Sequence, residues 1–169
     1  MNEKLSYNGI VTLVHRVNNR IVSKKYYNNG TNNLFEAYAR ALCGQSIDRF
    51  IPKHLDVGTG SGKTFTSIVK NEVSIPVTIT YKDSGSDGGE YADIDGTAVP
   101  YCRVSVVLFP DMFTKVANTD TLTIVLKSEK DLALAEVDVG GLSAAINDTT
   151  SGIQLLLLWD LYVTNGGTK

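Results

Sequence analysis

The sequence predicts a mainly β protein, an antiparallel β-sandwich with one short N-terminal α-helix. From residue 51 onward, the chain consists of short runs rich in β-branched and aromatic residues, separated by glycine and polar clusters. One run, "YCRVSVVLF" at 101–109, alternates so that its even-numbered residues form an apolar face that we expect to point toward a core. A strong helical pattern occurs in one place, between residues 28 and 44.

The N-terminal part of the chain predicts a β-hairpin. Residues 9–27 hold two β-rich runs on either side of Asn18 and Asn19. Asparagine tolerates the left-handed backbone of a two-residue turn, so the two runs are expected to pair as antiparallel strands. This turn would set Val17 opposite Arg20.

The helix is predicted over residues 33–43. Asn33 and Glu36 have the spacing of a capping box, and Gly44 stands where a left-handed C-cap is required. The helix carries an apolar stripe of Leu34, Phe35, Tyr38, Ala41 and Leu42. The large members of this stripe are expected to anchor the helix on the sheet. We also expect Trp159 to be at least partly buried, either beside the helix or within the sandwich.

The remaining strands are predicted at 53–57, 64–69, 73–81, 101–109, 121–127, 132–137 and 155–164. Several short strands at this spacing are typical of a sandwich or barrel. No internal repeat or linker divides the sequence. One domain is therefore predicted over residues 1–169, with the hairpin and helix of 1–44 packed on the sandwich.

Composition excludes some classes of partner. Hydrophobic residues make up 43% and charged residues 20% of the 169, which is typical of a globular chain. The formal net charge is −2, so no basic excess indicates nucleic acid or an anionic membrane. The N-terminus lacks the apolar core of a signal peptide, which predicts synthesis in a cytoplasm. Cys43 and Cys102 have no metal-binding spacing and are expected to be reduced, packed thiols.

The stretch "LDVGTGSGKTFTS" at 55–67 is close to a phosphate-binding loop. That motif requires a glycine five residues before the Gly-Lys-Ser/Thr triplet, and counting back from Gly62, Lys63 and Thr64 reaches Val57. The residues that follow favour a strand, whereas the motif must open a helix. We therefore predict a glycine-rich turn with a solvated Lys63.

No catalytic set, cofactor site or metal site is predicted. The acidic loop at 83–96 lacks EF-hand spacing and is typical of a solvated hairpin loop. His15 and His54 are expected to be surface or structural residues, and Ser61 lacks the flanking glycines of a nucleophile elbow. Tyrosines in or near strands leave a sugar-binding face open as an alternative; they are Tyr7, Tyr26, Tyr27, Tyr81, Tyr91, Tyr101 and Tyr162.

Four segments together resemble small virion structural proteins of tailed bacteriophages, including those of podovirus-like gut phages. The segments are "VTLVHRVNNRIVSKKYYNNGTNNLFEAYARALCG", "IPKHLDVGTGSG", "ALAEVDVGGLSAAI" and "LLLLWDLYVTN". In such proteins a hairpin and helix precede a β-sandwich, and a strand holding an acid, followed by Gly-Leu, precedes a last strand carrying Trp. The corresponding residues here are Glu136, Gly141, Leu142 and Trp159.

The resemblance implies a non-enzymatic virion structural protein, made in the host bacterial cytoplasm, that contacts other virion proteins and forms homo-oligomers. The expected partners are the major capsid protein or tail and collar subunits, with no nucleic acid and no membrane. Length and mild charge favour an accessory capsid subunit that decorates the head, since no coiled-coil or repetitive shaft indicates a fibre. A tail, collar or fibre-attachment component and a carbohydrate-binding module are the alternatives. The predicted contact regions are the glycine-rich loops 58–64 and 83–96, which can adapt to a partner.

Overall fold

A computed structural model describes residues 5–17, 20–29, 31–72, 74–82, 93–94, 97–98, 100–117, 121–129, 132–147 and 155–165. The strands are β1 (Leu5–Val17), β2 (Arg20–Asn29), β3 (Pro52–Thr59), β4 (Thr66–Ser67), β5 (Ile75–Pro76), β6 (Thr78–Lys82), β7 (Asp93–Ile94), β8 (Thr97–Ala98), β9 (Tyr101–Leu108), β10 (Leu122–Ser128), β11 (Ala133–Val139) and β12 (Leu155–Asn165). The α-helices are α1 (Asn32–Leu42) and α2 (Leu142–Asn147).

Two antiparallel sheets make up most of the described structure. The first has the order β2-β1-β12-β9-β6. The second has the order β11-β10-β3, and both β4 and β5 pair with the side of β3 that faces away from β10. β7 and β8 form a small separate ribbon. The predicted fold class, a mainly β protein with two antiparallel sheets and few helices, is confirmed.

Most predicted strands coincide with observed ones, and two differ. The hairpin register is confirmed, because Val17 pairs with Arg20; its turn lies outside the described residues. The run at 64–69 forms a 3-10 turn (Gly62–Thr64) followed by the short β4. The run predicted at 73–81 divides into β5 and β6, since Pro76 has no N–H for a continuous ladder and Val77 bonds back to the carbonyl of Lys53.

The larger of the two buried clusters in the described part of the chain lies between the two sheets. Trp159 on β12 is fully buried there, as predicted. The even-numbered residues of β9 also face this core as predicted, although Cys102 is only partly buried. The second sheet contributes Leu55, Val57, Leu122, Ile124, Leu126, Ala135, Val137 and Val139. This interdigitated apolar layer is the main stabilising feature of the fold.

The stretch that is close to a phosphate-binding loop forms a β-hairpin. Gly58 and Thr59 of β3 pair with Ser67 and Thr66 of β4, and the 3-10 turn Gly62–Thr64 joins the two strands. The backbone therefore continues as a strand, not as the helix that phosphate binding requires. The predicted glycine-rich turn is confirmed, and Lys63 is exposed.

We predict that Gly58→Ala destabilises this hairpin. A Cβ at residue 58 would lie 2.2 Å from the Thr66 carbonyl oxygen and 2.7 Å from the Phe65 ring, so β3 and β4 would have to separate. The expected loss in free energy of unfolding is about 1–3 kcal/mol, as for other overpacked sites. Gly140→Ala is the control, because nothing lies within 4 Å of the added Cβ. Equal urea midpoints for the two variants would contradict the prediction.

Candidate protein interface on helix α1

The N-terminus of α1 is fastened to the edge strand β11. The Thr31 N–H donates to the Leu134 carbonyl (3.2 Å), and the Thr31 hydroxyl lies 2.8–2.9 Å from the carbonyl oxygens of Leu134 and Ala133. Asn33 Nδ2 donates to the same Ala133 carbonyl (2.8 Å). The predicted capping box of Asn33 and Glu36 is therefore wrong: Thr31 is the N-cap, and the Asn33 side chain is used to bind β11.

The C-terminus of α1 ends as the sequence predicts. Gly44 has a φ of +66°, the left-handed conformation that glycine adopts without strain. The Gln45 N–H donates to the Arg40 carbonyl (2.9 Å) and the Gly44 N–H to the Ala41 carbonyl (3.1 Å), which is the Schellman pattern.

A surface ion-pair network links α1 to the 3-10 turn that follows it. Glu36 Oε1 accepts hydrogen bonds from Arg40 Nε (2.9 Å) and from Arg49 Nη2 (2.6 Å). The Arg49 guanidinium lies 4.6 Å from the centroid of the Phe50 ring, which is buried in the 3-10 turn Asp48–Phe50. The hydrogen bond from Arg40, with help from the charge of Arg49, lowers the pKa of Glu36. These contacts connect Glu36 of the helix to the turn Asp48–Phe50.

A second side of α1 is apolar and exposed. With 3.6 residues per turn, one side of the helix carries four apolar residues, which we name the apolar face of α1: Phe35, Tyr38, Ala39 and Leu42. Leu42 is 71% exposed, Phe35 41% and Tyr38 36%. All residues of α1 lie within the described range 31–72, and none of them is buried.

The prediction that the large members of the stripe anchor the helix is wrong. Leu34 is only partly buried, and Phe35, Tyr38 and Leu42 are exposed. An amphipathic helix normally turns its apolar side to the core, and contiguous exposed apolar surface marks sites of protein contact. The exposure of these apolar side chains, Leu42 above all, makes the apolar face of α1 a candidate interface.

We predict that Leu42→Ala leaves the stability of the isolated chain nearly unchanged. Because the side chain is largely exposed, the free energy of unfolding should change by no more than about 0.5 kcal/mol. Leu157→Ala is the matched control, since Leu157 is fully buried and its truncation should cost about 2–5 kcal/mol. Urea denaturation followed by circular dichroism measures both; a loss above 2 kcal/mol for Leu42→Ala would show that the apolar face is packed.

The other residues considered for chemistry remain dispersed. His54 is half-buried on β3, and Ser61 is exposed in the turn before Gly62. The acidic loop at 83–96 lies outside the described residues except for the β7 strand, and the side chain of His15 is also outside them. Among the described residues, no three His, Cys, Asp or Glu side chains lie close enough to hold a metal ion. No helix in the described ranges has the length and apolar character needed to cross a bilayer.

The tyrosines that the structure describes do not gather on one face. Tyr101 and Tyr162 are buried together on the outer side of the first sheet. Tyr26 is half-buried and donates to the Gly140 carbonyl (3.2 Å), and burial raises its pKa. Tyr81 is exposed on β6. The side chains of Tyr7, Tyr27 and Tyr91 lie outside the described part of the chain.

Sequence reasoning missed an ion pair beside these buried tyrosines. Arg103 on β9 and Asp160 on β12 are register partners, with Nε–Oδ1 at 2.8 Å and Nη2–Oδ2 at 3.0 Å. Asp160 is only 3% exposed, and the Arg103 guanidinium lies 5.4 Å from the Tyr101 ring centroid. The sequence does show a single charged residue within each of these two mainly apolar strands, and this pattern could have indicated the ion pair.

The two thiols have different environments. Cys43 is exposed just after α1, so the expectation of a packed thiol is wrong there, whereas Cys102 is partly buried; both are free. Burial raises the pKa of Cys102, and the negative charge of Asp160 adds to the shift.

Because the thiolate is the reactive form, we predict that maleimide labels Cys43 first and Cys102 much more slowly at neutral pH. Loss of the fast phase in Cys43→Ser would confirm the order, and a persistent fast phase would contradict it.

Comparison with known proteins gives no match: no protein-family model fits the chain, and no curated protein or solved structure matches it.

Proposed function

We propose that this chain is a non-enzymatic virion structural protein, an accessory capsid subunit that decorates the phage head. The observation that carries the proposal is the exposed apolar face of α1, on a helix that is held by contacts with its own domain. The resemblance of the hairpin, helix and C-terminal strands to small virion proteins of tailed phages supports a phage particle as the assembly to which the chain belongs.

The architecture suits a subunit that binds through fixed surfaces. α1 is fastened to β11 through Asn33 at its N-terminus and to Arg49 through Glu36, so the apolar face is presented in one orientation. A surface that is already ordered loses little conformational entropy when it binds. Its apolar centre beside charged neighbours is also the usual composition of a protein interface.

Copy number in purified particles tests the proposal. Quantitative mass spectrometry should find hundreds of copies per particle if the chain decorates the head, whereas about a dozen or fewer would indicate a collar or tail ring. Absence from the particles would overturn the virion proposal. A glycan array addresses the carbohydrate-binding alternative, since an assembly subunit should not retain sugars.

A variant tests whether α1 makes the contact. We expect Leu42→Lys to lower the copy number in particles at least about tenfold, because a lysine ammonium would be buried against the partner. Thr121→Lys is the matched control: it adds the same charge at an exposed residue just before β10, outside α1. Equal incorporation of both variants would contradict a role for α1 and leave the loops 58–64 and 83–96 as the predicted contacts.

A further inference from the structure

The chain from residue 31 to residue 49 contains no buried side chain, although it includes the whole of α1. The structure describes this stretch throughout, and none of its residues belongs to either buried cluster or to the hydrophobic residues packed against them. Both ends of the stretch, in contrast, are anchored. β2, which precedes it, pairs with β1 up to Asn29, and Phe50, which follows it, is only 3% exposed. We name residues 31–49 the α1 unit.

The hydrogen bonds of α1 to the second sheet lie at the N-terminal end of the α1 unit. Thr31 and Asn33 donate to two neighbouring carbonyl groups of β11. The ion pair of Glu36 with Arg49 has both partners inside the unit, so it holds α1 to the turn that follows and not to the sheets. A neutral hydrogen bond contributes only modestly to stability, whereas burial of apolar side chains is the dominant favourable term. The α1 unit is therefore fastened by weak contacts to a strongly stabilised core.

We propose that the α1 unit opens and closes as one piece while the two sheets stay folded. Opening leaves both buried clusters complete, because they contain no residue of the unit. An isolated 11-residue helix is marginal in water, so the hydrogen bonds inside α1 should break together when it leaves β11. Native proteins open in such cooperative units, and the units with few buried contacts open most easily.

This opening acts as a switch on the apolar face of α1. In the closed form, Asn33 holds the helix against β11 and the face is displayed on an ordered helix. In the open form the helix is lost, and Phe35, Tyr38 and Leu42 no longer share one surface. A partner that recognises the face binds the closed form, and its apparent affinity falls in proportion to the closed fraction. This regulatory role rests on the proposed function of α1 as a protein contact, whereas the opening itself is a property of the isolated chain and is tested without particles.

Native-state hydrogen exchange of the purified chain, followed by mass spectrometry in low concentrations of urea, tests the opening. The amides of residues 37–43 are hydrogen-bonded within α1 and its C-cap, and those of β12 lie in the middle strand of the first sheet. Residues 37–43 should exchange at least about a hundredfold faster than β12. Their rate should also depend less on urea, because local opening exposes less surface than global unfolding.

Leu157→Ala separates local opening from global unfolding. Leu157 is fully buried on β12, so its contacts are lost on unfolding but are kept when the α1 unit alone opens. The substitution should speed the exchange of β12 at least about thirtyfold and leave the rate of residues 37–43 unchanged. An equal acceleration of residues 37–43 would show that α1 exchanges only through global unfolding, and it would overturn the proposal.

Asn33→Asp tests whether the unit opens as one piece. The carboxylate cannot donate to the Ala133 carbonyl, yet an acid in the first turn favours the helix itself. Exchange should become about fivefold to tenfold faster along all of residues 37–43, including Cys43 at the far end of α1. Asn32→Asp is the matched control, since it adds the same charge at an exposed neighbouring residue and should not speed exchange. An unchanged rate at Cys43 in Asn33→Asp would mean that the two ends of α1 open separately, and it would overturn the proposal.

Discussion

Trp159→Ala is expected to lower the free energy of unfolding by about 3–5 kcal/mol, the cost of removing a large buried aromatic side chain. Trp159 is fully buried in the core. Its strand, β12, is the middle strand of the first sheet and turns alternate residues toward the second sheet. Trp159 is also the single tryptophan of the chain, so urea denaturation should be followed by circular dichroism instead of fluorescence.

The control for this experiment is Phe109→Ala. Phe109 is a large aromatic residue just after β9, but more than a third of its surface is exposed, so its truncation should cost clearly less. If the two variants lost the same stability, Trp159 would not occupy the centre of the core.

Arg103→Met is expected to destabilise the chain by about 3–5 kcal/mol, because it leaves the Asp160 carboxylate buried without its guanidinium. The double variant Arg103→Met, Asp160→Leu should recover much of this loss, since it removes both charges and fills the space with apolar atoms. A double-mutant cycle in urea measures the coupling between the two residues.

The exposed pair between Arg40 and Glu36 is the comparison for the buried one. Arg40→Ala should cost no more than about 1 kcal/mol, because water already solvates both partners. A double variant that is no more stable than Arg103→Met alone would contradict the explanation by an unpaired buried charge.

Local patterns were enough to predict most of the strands. Alternation in β9 identified the residues that face the core, and the asparagine pair identified the register of the first hairpin. Both depend on neighbours in sequence or on one paired strand, and these are the interactions that a single chain displays directly. The position of β12 between β1 and β9 could not be predicted in the same way, because it depends on packing among distant segments.

The candidate interface depended on information that periodicity does not contain. The spacing of Phe35, Tyr38 and Leu42 shows that they share one side of a helix, but not which side faces the domain. That choice is made by Asn33, which bonds to β11, and by Glu36, which binds Arg49 thirteen residues later. Because these contacts are tertiary, the sequence predicted the helix and assigned the opposite side to the core.

Accessibility of residue 42 in assembled particles tests the central claim most directly. Leu42→Cys in a Cys43→Ser background places one thiol at the most exposed large residue of the apolar face, and the half-buried Cys102 serves as an internal reference. Maleimide should label residue 42 rapidly in the dilute isolated chain and at least about tenfold more slowly in intact particles, as expected for a surface covered by a partner. The same labelling rate at residue 42 in both states would show that the apolar face of α1 is not a contact surface.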